Sequence, residues 1–172
     1  MRPILIAVAM TAGLLSALPA SAQNAGQIAR VRGGASCAGC NLFQAELTGL
    51  EARGLNLTGA RLRQADLSLA VMNRTRFTNA DLRDVEAYGG VFSGSNFSGA
   101  NLTNASFVGA NLDGAAFSGA TLTGANFAGA SLQRATGLTQ GRLNGACGDA
   151  ATQLPRGLSI PPCREATDLT GI

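Results

Sequence analysis

Three carboxylates, Glu46, Asp66 and Glu86, recur at intervals of twenty residues. Asp and Glu supply the hard oxygen ligands that a cation such as calcium takes, and a pair of carboxylates can cleave a glycosidic bond. A second candidate is "CAGC", Cys37 to Cys40, whose spacing suits a redox dithiol or half of a zinc site. The setting argues against both chemistries. Calcium takes about six to eight oxygens, a zinc site needs four ligands within reach, and a thioredoxin-like pair needs a βαβ unit. The chain has no His, so the commonest general base and the commonest metal ligand are both missing. The bland reading is therefore preferred. The acids form a solvated column balanced by Arg61, Arg63, Arg74, Arg76 and Arg83, the cysteines are structural, and no cofactor is implied.

What positions these residues is a repeat of five. Stepping by five from Leu42 to Gly137 meets Leu, Phe or Met at seventeen of twenty positions, the exceptions being Ala52, Ala87 and Gly137. With that residue as position i, a small residue, mostly Ala, stands at i−2. Asn, Asp or Ser is frequent at i−1, Ser or Thr at i+1, and Gly at i+2. Two inward positions flanking a polar one fit a short extended segment. The Gly, Asn and Ser between segments tolerate the backbone angles of a corner. Straight piece and corner, repeated without a slip, wind the chain into a coil. Successive coils then exchange backbone hydrogen bonds at a spacing of about 4.8 Å, and stability comes from stacking.

"GANLT", "GANLD" and "NADLR" fit Ala-(Asp/Asn)-Leu-x-x, and the pattern from Cys40 to about Gly137 resembles the pentapeptide repeat family. The resemblance implies an all-β fold, a right-handed quadrilateral parallel β-helix with four pentapeptides per coil. Stepping by twenty agrees with that number. One face stacks Leu42, Leu62, Leu82, Leu102 and Leu122, and another stacks Leu57, Phe77, Phe97 and Phe117. Twenty repeats make about five coils, a rod of roughly 24 Å. Some family members are acidic rods that imitate DNA and inhibit topoisomerases. Residues 37–137 carry seven Arg and seven Asp or Glu, and a DNA mimic needs a dense negative surface, so that function is excluded.

The ends are read separately. Residues 1–22 look like a signal peptide: Arg2, an apolar run from Ile4 to Leu18, and Ala20-Ser21-Ala22 as the cleavage site. The expected mature protein is periplasmic or secreted and has no membrane-spanning segment. Residues 23–36 form a lead-in with no clear cap, which leaves end-to-end homodimerisation open. Residues 37–137 are the β-helix. Residues 138–172 are a C-terminal cap, with a short helix over about 140–147 starting at Thr139 and a Pro-rich tail. Four cysteines in an exported chain read as two disulfides. Cys37 and Cys40 fall in the first coil, whereas Cys147 and Cys163 lie beyond the last, so bonds across the rod are too long. Cys147–Cys163 is expected. Cys37–Cys40 competes with two free core thiols, because Cys40 occupies an inward i−2 position.

One corner breaks the outward-polar rule. Leu69 and Val71, then Tyr88 and Val91 one coil on, and then Val108 stand where polar residues are usual. A contiguous apolar patch of this kind marks a partner surface, unless a distorted corner near Ala87 turns the side chains inward. The net charge of +3, or +2 without Arg2, favours neither nucleic acid nor an anionic membrane as partner. The function expected is that of a non-enzymatic scaffold binding an envelope or extracellular protein, or a structural module there. The alternative is a carbohydrate-active or cation-dependent enzyme built on Glu46, Asp66 and Glu86. A third reading is a solvent-facing spacer.

Overall fold

The computed structural model describes residues 24–163. The expected signal peptide, like the last nine residues of the tail, lies outside the described residues. Parallel bridges join residues twenty apart along the whole repeat. Asn41 pairs with Arg61, Arg61 with Asp81, Asp81 with Asn101 and Asn101 with Thr121. The three other faces are built the same way, through Glu46, Glu51 and Asn56 and the residues above them. Four pentapeptides therefore make one coil of a β-helix. The straight pieces are shorter than an ordinary strand, because each face contributes a single bridging residue, at i−1, before the chain turns again.

Backbone hydrogen bonds explain why the period is five. In the repeat centred on Leu62, the N–H of Leu62 donates to Asp81 (2.7 Å) and that of Gln64 to Arg83 (3.0 Å), both in the next coil. The N–H of Arg61 donates back to Cys40 (2.8 Å), and that of Ala65 closes the turn onto the Leu62 carbonyl (2.9 Å). Four of the five amides are thereby satisfied within the coil stack. A left-handed residue at i+2 bends the chain, and for this reason Gly is common there. The few others include Gln44, Gln64, Leu69 and Arg74.

Positions i and i−2 fill the coil. Leu42, Leu62, Leu82 and Leu102 are buried in one stack, and Phe77, Phe97 and Phe117 in another. The Phe77 and Phe97 rings are parallel with centroids 4.9 Å apart, Phe97 and Phe117 follow at 5.3 Å, and Phe107 meets Phe97 edge-on at 5.9 Å. Ala52 and Ala87, the exceptions to the large residue, are also buried, so the register holds through them. Gly90 is small because the ring of Phe92 occupies the place of its absent Cβ.

Both ends differ from the sequence expectation. The lead-in is capped: α1, Ala25–Arg32, buries Val31 completely and packs Ile28 against the core. It is tied to the first coil by Asn24 Nδ2 donating to the Phe43 carbonyl (3.2 Å) and by Arg32 donating to the Glu46 carbonyl. Asn41 N–H donates in turn to Gln27 Oε1 (2.6 Å). The exposed coil end that left end-to-end dimerisation open is thus occupied by the chain itself. At the other end α2 is shorter than predicted, Gln140–Leu143, with the Thr139 hydroxyl accepting from Arg142 N–H as its N-cap. Cys147 is not helical. It pairs in parallel with Asn126, Gln153 pairs with Ser131, and Pro162 with Gly148, so the tail continues the ladder rather than running irregularly across it. Cys37–Cys40 and Cys147–Cys163 stand at disulfide distance, with Cα atoms 5.5 and 4.7 Å apart, and no described cysteine is left free.

Candidate functional site

The acidic column exists along the backbone, since Glu46 bridges Asp66 and Asp66 bridges Glu86. Its side chains do not converge. Among the described residues no group of three or more Asp, Glu, Cys or His could hold one metal ion. Asp66 is committed elsewhere: its Oδ1 accepts the Ser68 N–H and its Oδ2 the Thr48 hydroxyl, each at 2.8 Å. The Ser68 side chain first, then the Ser68 N–H and the Thr48 hydroxyl, hold its carboxyl below the usual aspartate value against the opposing effect of burial. The bond to Ser68 N–H is a general device of this chain. Asn56, Asn96, Asn101, Asn111 and Asn126, all at i−1, accept the N–H of the residue two positions on. That N–H, at i+1, is the one amide the coil stack leaves over. Asn or Asp at i−1 is thus an Asx acceptor that completes the backbone. The column acid Asp66 belongs to this class.

The apolar corner faces out. Leu69 is 57% exposed and Tyr88 58%, while Val71, Val91 and Val108 are half-buried. No inward turn occurs near Ala87. Backbone bonds fix the five as neighbours: Leu69 N–H donates to Tyr88 (2.8 Å), Gly89 N–H to Val108 (2.9 Å), and Val71 bridges Val91. Leu69 adopts φ +59°, a left-handed conformation that costs a bulky residue on the order of 1–2 kcal/mol. Its Cδ2 lies 3.0 Å from where a Cβ on Gly89 would stand, so the glycine one coil on provides the floor for the leucine. The result is a fixed ridge of one Leu and one Tyr flanked by three Val.

The sequence reading did not single out Arg53 as a site residue, yet Arg53 and Arg74 flank one groove on the following corner, with Gly54, Asn73 and Ser93. The two arginines are twenty-one residues apart, at i+1 and i+2 of neighbouring coils, so stepping by twenty separates them. Three other arginines are paired among the described residues. Arg63 meets Asp84 at 3.2 Å, Arg83 meets Asp81 at 2.6 Å, and Arg134 forks onto Asp113.

The repeat is matched by the family model described as pentapeptide repeats, in segments 35–74, 53–86, 88–124, 100–136 and 110–147. Among solved structures the chain is similar to HetL, a pentapeptide repeat protein involved in heterocyst differentiation regulation from the cyanobacterium Nostoc. Identity is 28% and TM-score 0.42, over 74% of this chain and 64% of that one. It is also similar to a pentapeptide repeat protein of the Arabidopsis thaliana thylakoid lumen, at 29% identity and TM-score 0.37, over 57% of this chain and 68% of that one. A third is a trypsin-treated form of QnrB1, a plasmid-mediated fluoroquinolone resistance protein, at 20% identity and TM-score 0.46, over 74% of this chain and 83% of that one. The chain spans less than two thirds of the length of HetL. No curated protein sequence matches it. With bridges every twenty residues and a family match running through most of the coil, the chain belongs to the pentapeptide repeat family.

Proposed function

We propose that this chain is an exported, non-catalytic scaffold of the cell envelope that docks a protein along the edge carrying Leu69 and Tyr88. In this reading the coil is right-handed and four-sided, and its stacked faces hold that edge rigid. The observation that carries it is the exposure of Leu69 and Tyr88, with Leu69 kept in a left-handed conformation that Gly would adopt without strain. Export is supported by the signal-like N-terminus and by four cysteines standing in two pairs at disulfide distance, a usage suited to an oxidising compartment. The edge is apolar and the adjoining Asp66 is engaged in the fold, so binding rather than bond-breaking suits the surface.

A photo-crosslinking residue in place of Tyr88, with a control probe at Thr123, tests this in the native envelope. A discrete adduct at position 88 alone is expected. With no adduct at either position, the docking reading falls and the rod is a spacer.

A further inference from the structure

The groove between Arg53 and Arg74 has a volume of ≈ 490 Å³, within the range of small-molecule sites. Among the described residues neither arginine forms an ion pair, the three pairs present being those of Arg63, Arg83 and Arg134. The closest acid in sequence, Glu51, stands two positions before Arg53 and is not paired with it. Three other donor groups are also free. Asn73 Oδ1 accepts the Ser93 N–H at 3.0 Å, which fixes the carboxamide and leaves its NH2 end without an acceptor among the described residues. The backbone N–H groups of Arg53 and Asn73 are the i+1 amides of their repeats. Here Glu51 and Val71 replace the Asx residue, and neither amide has an acceptor among the described residues. Ser93 Oγ donates away, to Asn111 Oδ1 at 2.9 Å.

The rim is therefore rich in donors: two guanidinium forks, one carboxamide NH2 and two backbone amides around one cavity. The geometry points to a binding site for a phosphate monoester, the phosphoryl group held between Arg53 and Arg74 and its organic part in the rest of the groove. Three terminal oxygens match this number of donors better than the two of a carboxylate. Guanidinium forks favour such an oxyanion through paired charge-assisted hydrogen bonds. The cavity exceeds what the phosphoryl group alone would fill. The site lies on a different corner from Tyr88 and does not depend on the docking reading.

Phenyl phosphate, titrated into the isotopically labelled protein at chloride-matched ionic strength, tests the site. The readout is the amide resonances of Gly54 and Asn73. Saturable shifts at both are expected, weakened on the order of tenfold in Arg53→Gln and in Arg74→Gln. Arg134→Gln, whose partner is Asp113, should leave the affinity unchanged. Shifts that rise linearly without saturating, or that persist in the double variant, overturn the site. Phenol producing the same shifts in the unaltered protein overturns it as well, whatever the variants do. Inorganic phosphate binding as tightly as the ester overturns the ester assignment.

Discussion

At the scale of the residue, the consensus acid or amide at i−1 is a hydrogen-bond acceptor before it is a surface group. Asn101 shows this best, since its Oδ1 accepts both the N–H (3.1 Å) and the hydroxyl (2.6 Å) of Thr103. Asn101→Ala should lower stability by about 1 kcal/mol, and Asn101→Asp should restore most of it, read as urea midpoints. Thr75 presents the opposite case. Its side chain is fully buried at an i−2 position, and its Oγ1 has no partner among the described residues. Thr75→Val keeps the shape and removes the orphaned hydroxyl, so it should raise stability by about 1 kcal/mol. A lower midpoint for Thr75→Val would show that the hydroxyl is satisfied in solution.

At the scale of the element, the corner sets the limits. Gly114 and Gly137 both sit at φ near +70° (70° and 73°), but their surroundings differ. A Cβ on Gly114 meets nothing within 4 Å, whereas one on Gly137 would run into the backbone N and Oγ of Ser118. Gly114→Ala should therefore cost only the left-handed strain, about 1–2 kcal/mol. Gly137→Ala should cost clearly more, because backbone must move; thermal unfolding of the two variants side by side decides it. The same scale shows what could be read in advance. Inward positions were legible from Leu42 to Leu132, because one residue in five must fill the coil and the register does not slip. The N-terminal helix was not legible. α1 has no side-chain cap, no acid in its first turn, and only Ile28 and Val31 as apolar anchors. The role of the i−1 Asn was hidden because a polar residue on an outward position already has a sufficient explanation. The tail was missed because its bridges, Asn126–Cys147 and Ser131–Gln153, depart from twenty to twenty-one and twenty-two residues. The apolar edge was legible in composition, but which of its members face solvent required the corner geometry.

At the scale of the whole molecule, the two ends are closed by different means. α1 covers the first coil with a buried Val and a few hydrogen bonds. The last coil is covered by α2 and by tail segments held through Cys147–Cys163, sixteen residues apart. Chain entropy gives a loop of that length about 3 kcal/mol of stabilisation. Replacing both cysteines by Ser should lower stability by about that amount and open residues 148–163 to limited proteolysis, with the coils below remaining resistant. Equal resistance of the tail in both forms would assign its hold to the ladder alone. The Tyr88 crosslink belongs to this scale as well, since it asks whether a rigid rod presents one edge to the envelope.

The twenty-residue bridging has a consequence for how such a chain can change its length. Losing any twenty consecutive repeat residues removes one storey and returns every later residue to the side of the rod it already occupied. Losing five keeps a core residue at every inward position but turns everything downstream by a quarter of a revolution, so the Leu and Phe stacks no longer continue one above the other. A cut of that kind between Leu69 and Tyr88 would carry the tyrosine to another side of the rod, away from the leucine, with scarcely a change in composition. The inward pattern thus survives deletions in multiples of five, and the stacks and the surface only those in multiples of twenty. The rod keeps its sides aligned the way a spiral staircase does, by counting steps.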